Sequence, residues 1–156
     1  MKYLIPILLF LFAGCSVKTY EHTQTKIIMM KSPKLKFADV AYLRHNEKSI
    51  ELEIFIAGVA VEKIAINHLI CVSDGCMSKS SFNQDYLHSS YPDDILQNIL
   101  LGKSIYGGQN RVVTVDGFEQ DIKSAHVDIF YKVSAHEISF KDRKNAIILK
   151  LKDTNE

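Results

Sequence analysis

Across residues 49–57 the side chains alternate in character: Ile50, Leu52, Ile54 and Ile56 share one parity, while Glu51 and Glu53 fall on the other. Successive side chains of an extended strand point to opposite faces, whereas a helix brings them back about every 3.6 residues. This stretch can therefore bury one face and solvate the other only as a β-strand. The same alternation returns over residues 124–133, where Val127, Ile129, Tyr131 and Val133 oppose Asp128 and Lys132. Strands of this kind need hydrogen-bonded neighbours, and the flanking sequence supplies them. His45-Asn46-Glu47-Lys48 is a turn that folds residues 34–44 onto the first strand. Residues 59–72 give one or two more. Residues 111–115 run into Asp116-Gly117, a strong turn signal. Residues 137–141 and 145–152 close around Asp142-Arg143-Lys144.

A different pattern occupies the middle of the chain. Ser78 or Ser80 can cap a short helix carrying Phe82, Tyr86 and Leu87. The clearest helix is expected over residues 92–101, with Pro92 in its first turn, Asp93 and Asp94 at the positive end of its dipole and Gly102 as its stop. Its buried stripe is Ile95, Leu96, Ile99 and Leu100. Six to eight strands with two helices inserted midway make a mainly β chain. The expected architecture is an antiparallel β-sandwich of immunoglobulin type with a two-helix insertion. The alternative is an α+β arrangement, with the helices packed on one antiparallel sheet.

The N-terminus reads as an address. Lys2 precedes an uncharged, mostly apolar run over residues 3–13, too short for the roughly 20 residues of a membrane span but long enough for an export signal. The run ends Phe12-Ala13-Gly14-Cys15, which resembles the lipobox of bacterial lipoproteins, with Phe12 in place of the usual Leu. That resemblance implies cleavage before Cys15 and a diacylglycerol and N-acyl group on that cysteine. Ser16, at a position where inner-membrane retention would show Asp, implies an outer-membrane lipoprotein facing the periplasm or the surface. Residues 1–14 are then the signal peptide, 15–30 the lipidated cysteine and a flexible tether whose end, Lys26 to Met30, can begin the first strand, and 31–156 a single globular domain. Ser81-Phe82-Asn83, with residues 91–96 and 98–103, resembles a segment of small uncharacterised lipoproteins of epsilonproteobacteria. It implies no activity.

Lipidation of Cys15 would leave Cys71 and Cys76 as a pair in an oxidising compartment. Ser73-Asp74-Gly75 between them can turn the chain back, so a short-range disulfide is expected. The chain has 19 Lys and Arg against 18 Asp and Glu; removal of Lys2 with the signal makes the count even. Such a balance argues against nucleic acid or an anionic membrane face as partner.

No motif points to catalysis. The histidines, His22, His45, His68, His88, His126 and His136, show no metal-ligand spacing, and no nucleophile elbow or phosphate loop occurs. His126 with Asp128, or Asp93 with Asp94, would be the carboxylate-bearing groups of a cell-envelope hydrolase. The favoured reading is a binding or assembly module, anchored to the membrane by lipid and contacting an envelope protein, with no metal and no cofactor beyond the covalent lipid. A surface adhesin is the third. Tyr86, His88, Tyr91 and Tyr106 cluster around the insertion and are expected to form an exposed binding patch, because tyrosine combines contact area with a polar handle.

Overall fold

The computed structural model describes residues 19–154. Within them, strands β1 (His22–Lys31), β2 (Lys36–His45), β3 (Ile50–Ile56), β4 (Val59–Ile66), β5 (Ile70–Val72) and β6 (Gly75–Met77) lead into helices α1 (Lys79–Tyr86) and α2 (Ile95–Leu100). A 3-10 turn at Tyr106–Gly108 follows, then β7 (Arg111–Val113), β8 (Phe118–Lys123), β9 (Asp128–Val133), β10 (Glu137–Asp142) and β11 (Ile147–Asp153). All eleven strands join one antiparallel sheet in the order β6-β5-β4-β3-β2-β1-β11-β10-β9-β8-β7. Each neighbour in that order is also a neighbour in sequence, except β1 and β11. The first and last strands thus meet at the centre, with Lys26 opposite Asp153 and Met30 opposite Leu149.

This order decides where the insertion lies. The chain leaves the sheet at one edge, β6, and must re-enter it at the other, β7. Residues 78–110 make that crossing over a single face. That face is apolar: Ile28 and Met30 of β1, Leu43 of β2, Leu52 and Ile54 of β3, Tyr131 of β9, Phe140 of β10 and Leu149 of β11 are all at most 2% exposed. The insertion sets Phe82, Tyr86, Leu87, Tyr91, Ile95, Leu96, Ile99, Leu100 and Ile105 into the same core. The mainly β reading with a helical insertion is what the structure has. The layer a second sheet would occupy in a sandwich is filled by the two helices.

Buried polar side chains fasten the insertion down. Gln120 of β8 accepts from the Ile105 N–H at 2.9 Å and donates to the Ile105 and Gln109 carbonyls at 3.0 and 2.7 Å. The Asn83 amide of α1 donates to the carbonyls of Tyr91 and Pro92, joining α1 to the approach of α2. The Tyr131 hydroxyl donates to the Lys103 carbonyl at 3.0 Å. Ser78 caps α1 by accepting from the Ser81 N–H. Helix α2 begins at Ile95, later than its sequence signals suggest, because Pro92 instead accepts from the Ile95 N–H in the turn before it.

The tether expected over residues 15–30 is corrected for residues 22–30. From His22 onward the chain is strand β1, paired along its length with β2 and from Lys26 with β11. Tyr20, just before it, donates its hydroxyl to Glu51 at 2.9 Å on the outer face. Residues 27–30 are apolar on both faces and residues 22–26 polar on both, so this central strand shows no alternation.

Candidate functional site

The tyrosines proposed for a binding patch are committed elsewhere. Tyr86 is 4% and Tyr91 5% exposed, and Tyr106 is half-buried. The Tyr86 ring stacks on Phe82 at 4.8 Å and its hydroxyl donates to Asp74 at 2.9 Å. Tyr91 packs edge-on against Phe140 and donates to Asp142 at 2.7 Å. Burial, with the nearby Asp142 carboxylate, pushes the Tyr106 hydroxyl up to about 12. His88 is half-buried, its Nδ1 within 2.7 Å of the Ser90 hydroxyl. An exposed tyrosine patch does not form, because helices that must cross an apolar sheet spend their large side chains on it.

Neither expected carboxylate pair is a dyad. His126 lies on an exposed turn before β9, while Asp128 is ion-paired with Arg143 at 3.2 Å. Asp93 and Asp94 are both exposed, and Asp94 accepts from the Asn98 amide at 2.8 Å. Cys71 and Cys76 face each other across the β5–β6 ladder with their sulfurs 2.00 Å apart, so that expected pair is in place. Cys15 lies outside the described residues.

What the fold does bring together is a groove of about 370 Å³ where β1 begins and β2 ends. The even-numbered residues of β1 point to the helix-covered face. His22, Gln24 and Lys26 are the members of that series that lie beyond the core, and together with His45 they form one wall. Leu100, Leu101 and Lys103, at the end of α2, form the other, with Leu43 and Ile138 on the floor and Glu21 and Glu47 at the margin. A smaller recess adjoins it, sharing Asn46, Glu47, Leu101 and Lys103 and adding Lys79, Gln97 and Asn67.

His22 and His45 are directly opposite in the β1–β2 ladder, and their rings stack with centroids 4.8 Å apart. Burial lowers the His45 imidazole below its ordinary value, and the neighbouring His22 and Lys103 lower it further. A neutral His45 ring offers one donor and one acceptor. Lys26 is ion-paired with Asp153 across the β1–β11 ladder. The groove therefore presents two imidazoles, two amides, two ammonium groups and two carboxylates around an apolar floor. Such a surface suits hydrogen-bonded recognition of a polar, uncharged or zwitterionic segment. Among the described residues no cluster of three or more His, Cys, Asp or Glu could hold a metal ion, and no helix is long and apolar enough to cross a membrane. Sequence reasoning passed over His22, Gln24 and His45 because their pairing depends on the β1–β2 register.

No protein-family model matches the chain, and neither a curated protein nor a solved structure does.

Proposed function

We propose that the chain is an envelope lipoprotein, acylated on Cys15, whose folded domain works as a binding or assembly module through the groove between β1–β2 and the end of α2. The observation that carries the reading is the placement of that groove beside the point where the chain joins the domain. Glu21 and His22 line it, and only four positions separate Cys15 from Thr19, the first described residue. A recognition site there would meet partners held at the same membrane. The Cys71–Cys76 pairing supports an oxidising compartment, which favours the envelope over the cytosol. The mixed lining of the groove, polar groups around an apolar floor, is the usual make-up of a recognition site.

Two measurements test this. Growth with a palmitate analogue should label the wild type and leave Cys15→Ala unlabelled, with the domain of the variant still folded; label retained by the variant removes the lipoprotein reading. A photo-crosslinking residue at Glu47, on the groove margin, should trap a discrete adduct in intact cells, whereas one at Gln84 on the exposed side of α1 should not. No adduct at 47, or equal adducts at both, removes the groove as the binding site.

A further inference from the structure

The strand residues that point away from the helices form a second surface, with a segregated charge pattern. On it, Arg44 pairs with Glu51 and Glu53, Lys63 with Glu51, Lys123 with Asp121, Lys132 with Glu119 and Lys152 with Glu137. Lys31, Lys36, Lys141 and Lys150 share this face, and among the described residues none of the four has a carboxylate within ion-pair distance. They are also neighbours. Lys31 of β1 stands opposite Lys36 of β2 and opposite Ile148 of β11. Ile148 stands opposite Lys141 of β10, and Lys150 stands opposite Met29. Adjacent strands lie about 4.8 Å apart, so four ammonium groups gather over the width of four strands. Like charges directly opposed in a ladder are destabilising, as Lys31 and Lys36 are. An anion brought from outside would relieve that repulsion.

The lysines are interleaved with aliphatic side chains left in water. Ile27 is 48% and Met29 46% exposed at the centre of the sheet, beside the half-buried Ile148. A soluble polyanion would satisfy the lysines and leave Ile27 and Met29 in water. A bilayer surface satisfies both, with phosphates for the ammonium groups and the headgroup–acyl boundary for the aliphatic chains.

We propose that the outer face of β2, β1, β11 and β10 lies on an anionic lipid surface. The proposal rests on the reading that Cys15 is acylated, and the length of chain before the domain supports it. Cys15 is four positions before Thr19 and seven before the start of β1. Four residues span at most ~14 Å, so an acylated Cys15 holds the domain against the membrane, and β1 itself presents Ile27, Met29 and Lys31 outward. The acyl chains fix the domain at the membrane, and the basic, aliphatic face then sets which side of it lies on the lipid. An even overall charge count does not oppose it, because strand parity sorts the charges and the carboxylates of this face are already taken.

The test uses the chain from Ser16 onward, which lacks the lipid-bearing cysteine and keeps the whole fold described for residues 19–154. It should sediment with vesicles of equal parts phosphatidylglycerol and phosphatidylcholine, less so as salt rises, and not with phosphatidylcholine alone. Lys31→Gln with Lys150→Gln should weaken binding about 30-fold, at about 1 kcal/mol for each lysine. Met29→Ser should weaken it too, without altering the salt dependence. Equal sedimentation with both vesicle types overturns the proposal. Binding that ignores Met29→Ser and is fully competed by dextran sulfate also overturns it, since the face would then read a polyanion. The shortened chain carries no acyl group, so its vesicle binding and the palmitate labelling of the full chain can fail separately.

Discussion

The Tyr91 hydroxyl donates to Oδ2 of Asp142 at 2.7 Å, joining the approach to α2 to the β10–β11 turn across 51 positions of sequence. Asp142 is fully buried, and its carboxylate also accepts from the Asn145 amide at 2.7 Å and from the backbone N–H groups of Asp128 and Lys144. It therefore closes the hairpin and holds the insertion on the sheet. Tyr91→Phe keeps the ring's edge contact with Phe140 and removes one donor to a buried charge. A loss of about 1.5–3 kcal/mol is expected in urea unfolding. A change under half a kcal/mol would show that the other donors suffice.

Acid should destabilise the fold through this group. Burial raises the Asp142 carboxyl, but donors from Tyr91, Asn145 and the backbone outweigh it and hold it below its ordinary 3.8. Glu51 behaves alike: burial is outweighed by hydrogen bonds from Lys63, Tyr20 and Arg44, so it lies below 4.5. A carboxyl depressed in the folded state contributes stability above its unfolded value and loses it as pH falls through the folded one. His45, also depressed, has the same sign: its contribution is present above 6.5 and declines below. Unfolding free energy should be flat from pH 6.5 up to the onset of tyrosine ionisation, decline shallowly below 6.5, and drop steeply below 4.5. Asp142→Asn should flatten the steep limb and leave the shallow one, as urea midpoints across pH would show.

Much of this fold was legible in the sequence, and the parts that were not have physical causes. Strand β3 announced itself because Ile50, Leu52 and Ile54 face the core while Glu53 faces out. Even there Glu51, which looks solvated by parity, is 6% exposed, covered by Tyr20, Arg44 and Lys63. The first half of β1 was hidden for the reason that makes it interesting: its inward residues His22, Gln24 and Lys26 line a groove and are polar. The tyrosines misled because composition records that an aromatic is present but not which way a crossing helix turns it. The basic outer face was invisible for a related reason. It exists only once Lys31, Lys36, Lys141 and Lys150 are brought side by side by registers that no local pattern encodes.

Gly117 is a glycine for want of space. A Cβ there would lie 2.0 Å from the Val133 carbonyl oxygen, on the backbone that pairs with β8. No side-chain rearrangement relieves a clash with backbone, so Gly117→Ala must push β8 off β9. Gly58, at the β3–β4 turn, has open space around it but a φ of +81°. Gly58→Ala should cost only the left-handed penalty, about 1–2 kcal/mol. Gly117→Ala should exceed it clearly in urea midpoint and lower the hydrogen-exchange protection of residues 118–123. Equal costs would mean that turn conformation, and not close approach, fixes this glycine.

The Cys71–Cys76 link should make only a modest contribution to global stability. It closes a very short loop at the sheet edge, and in the chain-entropy model short rings restrict the unfolded chain least, giving about 2 kcal/mol here. The loop is also held without it: Tyr86 donates to Asp74, and Glu62 of β4 accepts from the Ser73 N–H and hydroxyl at 3.0 and 2.8 Å. Replacing both cysteines by serine should therefore lower stability by about 2 kcal/mol or less. Exchange at residues 70–77 should rise locally, while protection of β1 and β11 stays unchanged. The wild-type protein isolated without reductant should take up no alkylating reagent at these positions until reduced. Alkylation without reduction would show that the pair stays open in the cell. A loss well beyond 2 kcal/mol that reached the central strands would show that the β5–β6 edge is coupled to the whole sheet.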